Sequence, residues 1–162
     1  EFSRQEQDCK VFDQDTKESF FPTVVETSCG LDRICLMLLC NAYDEDTAET
    51  KKLDQDEDVR VVLHLPARYA PVQIAVLPLS KKLEAPAAAV RKSLQQKYRT
   101  VYDDSGSIGK RYRRQDEIGT PFCVTYDFDS LQDQAVTVRD RDSMSQERIP
   151  VSELNAFLAT RI

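Results

Sequence analysis

The sequence lacks tryptophan and contains a single histidine, His64, and four glycines among its 162 residues. One histidine and the absence of any Cys-x-x-Cys pair argue against a zinc site, which takes four closely spaced ligands, so we expect no metal centre. No apolar run approaches the roughly 20 residues that span a membrane, and no signal peptide is recognisable. The odd number of cysteines, five, is typical of unpaired thiols in a reduced, cytoplasmic protein.

The sequence does contain an uneven distribution of charge around its net charge of −6. Residues 1–66 hold 16 Asp and Glu against 7 Lys and Arg, whereas residues 67–162 hold 12 against 15. The second region is therefore the better anion binder. The chain begins without methionine and in the middle of a pattern, so we expect a piece of a longer protein. We predict two domains, 1–66 and 67–162.

The hydrophobic pattern predicts an α/β fold. Residues 10–28 read as strand, turn and strand, and residues 31–43 as a helix that is apolar on most sides and therefore expected to be buried. The acidic run 44–58 predicts a solvated linker, and residues 59–65 a short strand. From residue 72 onward the order β-α-β-α-β-β-β-α predicts a mixed five-stranded sheet flanked by about three helices.

A cationic helix follows the second strand of that sheet. Lys110, Arg113 and Arg114 share one face, because residues three and four apart are neighbours on a helix, and Arg111 points elsewhere. The surface suits a polyanion such as RNA. A charged, solvated face neutralised by Asp116 and Glu117 explains the same pattern equally well.

Two further arginines, Arg139 and Arg141, fall on one face of a predicted strand, because strand side chains alternate. Paired guanidinium groups on a sheet face can bind phosphates or base edges. A cross-strand ion-pair ladder with Asp127 and Asp129 is the competing interpretation.

The first region carries Glu26-Thr-Ser-Cys-Gly-Leu-Asp-Arg33 at the start of its helix. An arginine in the first turn of a buried helix needs an anionic partner to offset its desolvation. A bound nucleotide would provide one, and the Glu26 carboxylate could hold an ammonium group. An internal Glu26–Arg33 or Asp32–Arg33 pair that serves only the fold remains the alternative.

These segments resemble class II aminoacyl-tRNA synthetases of the glycine-specific, single-chain type. Residues 22–33 are similar to motif 3 of the catalytic domain, and residues 103–119 together with 138–144 are similar to the anticodon-binding domain. The resemblance implies that residues 1–66 are the end of an antiparallel catalytic domain and that residues 67–162 bind the anticodon. Motifs 1 and 2, which have no counterpart in this sequence, would lie upstream.

The resemblance also implies roles for individual residues. Arg33 would be the catalytic arginine that clamps ATP, and Glu26, Ser28 and Gly30 would line the glycine and ATP site. The tRNA-binding residues would be Lys110, Arg111, Arg113, Arg114, Arg139 and Arg141.

The whole enzyme would then use ATP with Mg²⁺, glycine and tRNA(Gly) as a cytoplasmic homodimer, without binding DNA or a membrane. The fragment alone is expected to be inactive and to hold no cofactor. A non-catalytic RNA-binding module of synthetase-like fold is the alternative; it predicts a degraded motif 3, whereas Glu26, Ser28, Gly30 and Arg33 are all present. An acidic phosphoacceptor site at Asp103 and Asp104 fits poorly beside the adjoining cations.

Overall fold

The computed structural model describes residues 9–46 and 59–162, and the chain divides between Ile34 and Cys35 into two units. The first unit contains a small antiparallel hairpin, β1 (Val11–Phe12) and β2 (Ser19–Phe20), with Val11 opposite Phe20. The predicted strand–turn–strand is confirmed for residues 11–20, whereas residues 21–28 form no regular secondary structure. Most of the predicted acidic linker, residues 47–58, lies outside the described residues.

Helix α1 (Leu31–Ala42) begins where predicted and ends one residue earlier, but the prediction that it is buried is wrong. Leu31, Leu36 and Met37 are all more than 60% exposed. A helix that is apolar on all sides is buried only when partners surround it. Within the described residues, only its last residue, Ala42, enters a buried cluster, with Leu65 and Ala70.

A second hairpin follows directly, built from β3 (Tyr43–Asp46) and β4 (Arg60–Leu63). Tyr43 lies opposite Leu63 and Asp46 opposite Arg60. The prediction of an acidic loop from residue 44 is therefore wrong for its first three residues. They pair through the backbone with an apolar strand, so their acidic composition does not prevent strand formation.

A mixed five-stranded sheet forms the centre of the second unit, as predicted. Its order is β6-β5-β7-β8-β9, parallel between β6, β5 and β7 and antiparallel from β7 to β9. Helical crossovers join the parallel strands and short connections join the antiparallel ones, in keeping with what each geometry requires. The strands are β5 (Ile74–Pro78), β6 (Thr100–Tyr102), β7 (Phe122–Tyr126), β8 (Ala135–Asp140) and β9 (Gln146–Pro150).

Four α-helices accompany this sheet within residues 59–162, one more than the predicted three, because the predicted turn at 130–133 closes into a single helical turn. A 3-10 turn (Lys81–Leu83) precedes the first of them. The helices are α2 (Glu84–Leu94), α3 (Ile108–Glu117), α4 (Ser130–Asp133) and α5 (Leu154–Ala159). The predicted α/β fold is confirmed.

Apolar side chains cover both faces of the sheet. One face packs Ile74, Val124 and Val136 against α2 and α5. The other face packs Ala75, Leu77 and Cys123 against α3. The sheet is therefore covered on both faces, with α3 packed on one of them. No helix in the described ranges is long and apolar enough to cross a membrane.

Candidate functional site

Helix α3 is set in place by turns at both of its ends. Before it, the backbone N–H of Ser105 donates to the Asp103 carboxylate at 3.0 Å, and Gly106 takes a positive φ of 85°. After it, Gly119 takes a φ of 81°, and its N–H donates to the Asp116 carbonyl. Gly119 is the predicted helix stop, in the left-handed conformation typical of helix C-termini.

Three cations lie on the exposed side of α3. Lys110, Arg113 and Arg114 are exposed, as their spacing predicts. Arg114 is anchored at the strand end, where its Nη2 lies 2.8 Å from an Asp103 carboxylate oxygen and donates to the Ser105 carbonyl at 2.7 Å. The exposed face of α3 is thus a cationic surface in which Arg114 is held in a fixed geometry.

Arg111 is buried instead, which confirms that it points away from the other three. Its Nη1 donates to the Pro78 carbonyl at 2.6 Å and its Nε to the Gly106 carbonyl at 3.1 Å. This guanidinium group ties the start of α3 to the end of β5. It stabilises the helix rather than extending the cationic surface.

Arg139 and Arg141 are also buried, at 7% and 3% exposure, so the expectation that they lie on an open sheet face is wrong. Arg139 forms a two-point ion pair with Asp116, at 2.8 and 3.0 Å, and lies 4.9 Å from the ring centre of Tyr112. Arg141 donates from Nη1 to the carbonyls of Leu65 and Gly119. Helix α3 and residues 60–65 cover this face of the sheet, which is why the side chains do not reach solvent.

Arg139 and Arg141 do not form the alternative cross-strand ion-pair ladder with Asp127. Asp127 pairs with Arg148, which also pairs with Asp133 at 2.9 Å. Burial by itself lowers the pKa of Arg139, but its hydrogen bonds to Asp116 and the Asp116 charge outweigh burial and raise that pKa above its ordinary value. Arg139 is therefore a fixed internal cation.

Asp116 is the centre of this internal network. It is 1% exposed, and it accepts from Arg60 Nε at 2.9 Å as well as from Arg139. It does not neutralise the exposed face of α3, as one interpretation of the sequence had it. Arg60 was missed from the sequence because it borders an acidic run. The burial of Asp116 could have been predicted, because Asp116 follows the inward-facing Tyr112 by four residues and therefore lies on the same face of the helix.

The motif at the start of α1 is open to solvent. Glu26, Ser28, Gly30 and Arg33 are all exposed. Within the described ranges, no hydrogen bond or ion pair joins Arg33 to Glu26 or to Asp32, so the alternative of an internal pair does not form there. A Cβ added to Gly30 would lie 3.9 Å from the Arg33 side chain, an ordinary contact distance. A guanidinium and a carboxylate presented in this way suit a phosphate and an ammonium group, respectively.

A shallow cavity of about 180 Å³ lies between the sheet and α5. Its lining includes the carboxylates of Asp140 and Glu147 beside the single guanidinium of Arg161. This charge balance does not extend the cationic surface. No cluster of His, Cys, Asp and Glu suited to a metal occurs in the part of the chain that the structure describes.

Comparison with known protein families shows the family to which this chain belongs. The family described as "Anticodon binding domain" matches residues 73–161. This range holds the whole five-stranded sheet and α3, and the chain belongs to that family. A prolyl-tRNA synthetase from Cryptosporidium parvum shares the fold, with a TM-score of 0.57 and 24% identity over 60% of this chain and 22% of that one. The RNA-binding domain of threonyl-tRNA synthetase from the same organism gives a TM-score of 0.56, at 24% identity over 60% and 25% of the two chains.

Curated glycine–tRNA ligases are similar to almost the whole of this chain. A glycine–tRNA ligase of Agathobacter rectalis is 55% identical over 96% of this chain and 33% of its own length. The glycine–tRNA ligase of Staphylococcus aureus strain Newman is 52% identical over 96% and 32%, respectively. The resemblance to the anticodon-binding part of glycyl-tRNA synthetases is confirmed. The chain spans about a third of the length of these relatives.

Proposed function

We propose that this chain is the C-terminal part of a glycine–tRNA ligase and supplies motif 3 and anticodon recognition. The supporting observation is the 55% identity to such a ligase over 96% of the chain, which includes residues of both units. The whole enzyme activates glycine with ATP and transfers it to tRNA(Gly). It acts as a cytoplasmic homodimer and binds neither DNA nor a membrane.

Residues of the first region take part in glycine activation. Arg33 contacts ATP, where its fixed positive charge stabilises the charge that develops on the phosphates. Glu26 accepts hydrogen bonds from the ammonium group of glycine, with Ser28 and Gly30 beside it. Mg²⁺ bound to ATP supplies further neutralisation of the phosphates. Motif 3 lies within residues 1–66, and the anticodon-binding surface lies within residues 67–162.

Residues of helix α3 take part in tRNA binding. Lys110, Arg113 and Arg114 lie on one exposed face and bind phosphates, which gives tRNA binding its salt dependence. Arg111, Arg139 and Arg141 are buried. They support the same surface from inside the protein rather than touching tRNA directly.

The motif 3 assignment is tested in the full-length enzyme. Arg33→Ala should abolish glycine-dependent exchange between ATP and pyrophosphate, because the charge that holds ATP is removed. Arg68→Ala, at an exposed arginine outside motif 3, is the matched control and should leave exchange close to normal. Exchange at a near-normal rate in Arg33→Ala would show that motif 3 is wrongly assigned.

The tRNA surface is tested by salt dependence. Arg113→Ala combined with Arg114→Ala should weaken binding of tRNA(Gly) and reduce the slope of log K against log salt by about 0.7–0.9 for each phosphate that is no longer neutralised. Lys81→Ala combined with Lys82→Ala removes the same charge from an exposed turn beside α2 and is the control. Equal effects of the two double variants would mean that net charge, not this surface, governs binding.

A further inference from the structure

We infer that Asp116 is a positioning residue for tRNA binding: its buried carboxylate, held by Arg60 and Arg139, fixes the cationic face of α3 toward the RNA. The same network makes the β3–β4 hairpin a working part of the tRNA-binding module, although it lies outside the family match at 73–161. This inference rests on the function proposed above.

Both oxygens of the Asp116 carboxylate are engaged. Oδ1 accepts from Arg139 Nη1 at 2.8 Å, and Oδ2 accepts from Arg139 Nη2 at 3.0 Å and from Arg60 Nε at 2.9 Å. All three side chains are at most 8% exposed. One buried anion therefore serves two buried cations, and removing its charge would leave both cations without that neutralising group.

The hairpin and the residues after it meet the last turn of α3 and the end of β8 at several points. Arg60 Nη2 donates to the Arg141 carbonyl at 2.8 Å, and the His64 ring lies 2.6 Å from the Asp142 carboxylate. The space beside Gly119 is filled by Leu63 and Leu65, whose nearest atoms lie 3.0 Å from where a Cβ would be. These interactions join β4 and residues 64–65 to α3 and to the end of β8.

The contacts on the inward side of α3 also set the direction of the side chains on its outward side. Asp116 and Tyr112 lie one turn apart on the inward side, and the Tyr112 hydroxyl lies 2.6 Å from the Thr125 hydroxyl on β7. Lys110, Arg113 and Arg114 occupy the outward side of the same helix. Because side-chain directions along an α-helix are set by its 3.6-residue turn, rotation of α3 that follows disruption of the Asp116 network redirects all three cations.

Two neighbouring substitutions separate positioning from net charge. Asp116→Asn and Glu117→Gln each remove one negative charge from the end of α3, but Asp116 is buried and Glu117 is exposed. If only charge matters, both variants bind tRNA(Gly) more tightly than the unmodified chain. Positioning predicts opposite signs: Glu117→Gln binds slightly more tightly, whereas Asp116→Asn binds more weakly and its salt slope falls by about 0.7–0.9 for each phosphate that is no longer neutralised.

The measurement is a salt titration of tRNA(Gly) binding, at a temperature where circular dichroism shows both variants folded. Tighter binding by Asp116→Asn with an unchanged slope would overturn the inference. If Asp116→Asn does not fold, the double variant Asp116→Asn, Arg60→Met is used instead, because it keeps the net charge of the unmodified chain. Weaker tRNA binding with a smaller salt slope is again expected. Binding equal to that of the unmodified chain would overturn the inference. Failure of the proposed function gives a different result: the Arg113→Ala, Arg114→Ala variant would then bind tRNA(Gly) with the same affinity as the unmodified chain.

Discussion

Replacing Gly119 by alanine tests how closely the β3–β4 hairpin packs on α3. Gly119 has a φ of 81°, and an added Cβ would lie 3.0 Å from both the Leu63 carbonyl oxygen and Leu65 Cδ1. The left-handed conformation costs about 1–2 kcal/mol for a residue with a Cβ. Overpacking adds about 1–3 kcal/mol, because the Leu63 oxygen belongs to a paired strand and accepts a hydrogen bond from the Leu65 N–H. We therefore expect Gly119→Ala to lower the free energy of unfolding by about 2–5 kcal/mol.

Two other glycines supply matched controls in the same urea denaturation, followed by circular dichroism. Gly106 has a φ of 85° but nothing within 4 Å of an added Cβ. Gly106→Ala therefore carries the conformational cost alone, about 1–2 kcal/mol. Gly109 lies inside α3 with open space around it, so Gly109→Ala should stabilise the protein by up to about 0.5–1 kcal/mol.

The difference between Gly119→Ala and Gly106→Ala isolates the packing against the hairpin. The effect of alanine on the entropy of the unfolded chain, about 0.4–1 kcal/mol, is common to all three variants and cancels. Equal destabilisation by Gly119→Ala and Gly106→Ala would refute the close packing of Leu63 and Leu65 on the end of α3. It would also remove one support of the positioning role given to the hairpin.

Thiol reactivity and acid stability give two further predictions. Burial raises the pKa of Cys123 to about 12, whereas the other four cysteines are exposed. At pH 8 a thiol reagent should therefore label four cysteines in the folded protein and Cys123 only in denaturant. Rapid labelling of all five cysteines in the folded protein would show that the sheet opens. Hydrogen bonds from the Ala135 N–H and from Arg148 lower the pKa of Asp133. Burial by itself raises the pKa of Asp127, but hydrogen bonds from Arg148 and Ser130 outweigh burial and lower that pKa. Since both pKa values are depressed, these carboxylates stabilise the fold above their ordinary pKa of about 3.9 and lose that contribution as the pH falls through the lower folded-state values. Arg148→Met should therefore show a smaller loss of stability between about pH 5 and pH 2 than the unmodified chain, and an identical pH profile would contradict the role of Arg148.

Most elements of the fold were predictable because their signals are local. The apolar run at residues 72–77 and the stop at Gly119 depend on neighbouring residues alone, and the structure agrees with both. The strand at Asp44 and the exposure of α1 were not predictable. Whether an acidic segment pairs, or an apolar helix is covered, depends on segments distant in sequence.

The candidate site divides in the same way. Helical spacing placed Lys110, Arg113 and Arg114 on one face and Arg111 on another, because the periodicity of a helix is a property of consecutive residues. The same kind of reasoning put Arg139 and Arg141 together on one strand face but could not tell whether that face is covered. Arg60 gave no signal, because its partner Asp116 lies 56 residues away.

The sequence by itself therefore determined the α/β class, the strands of the five-stranded sheet, the cationic spacing of α3 and the resemblance to glycyl-tRNA synthetases. The tertiary structure alone decided which arginines face solvent. A guanidinium group carries the same charge wherever it lies, but whether it can meet a phosphate depends on what packs over it. Here Asp116 and the β3–β4 hairpin bury Arg139 and Arg141, whereas Lys110, Arg113 and Arg114 stay exposed on the outward face of α3.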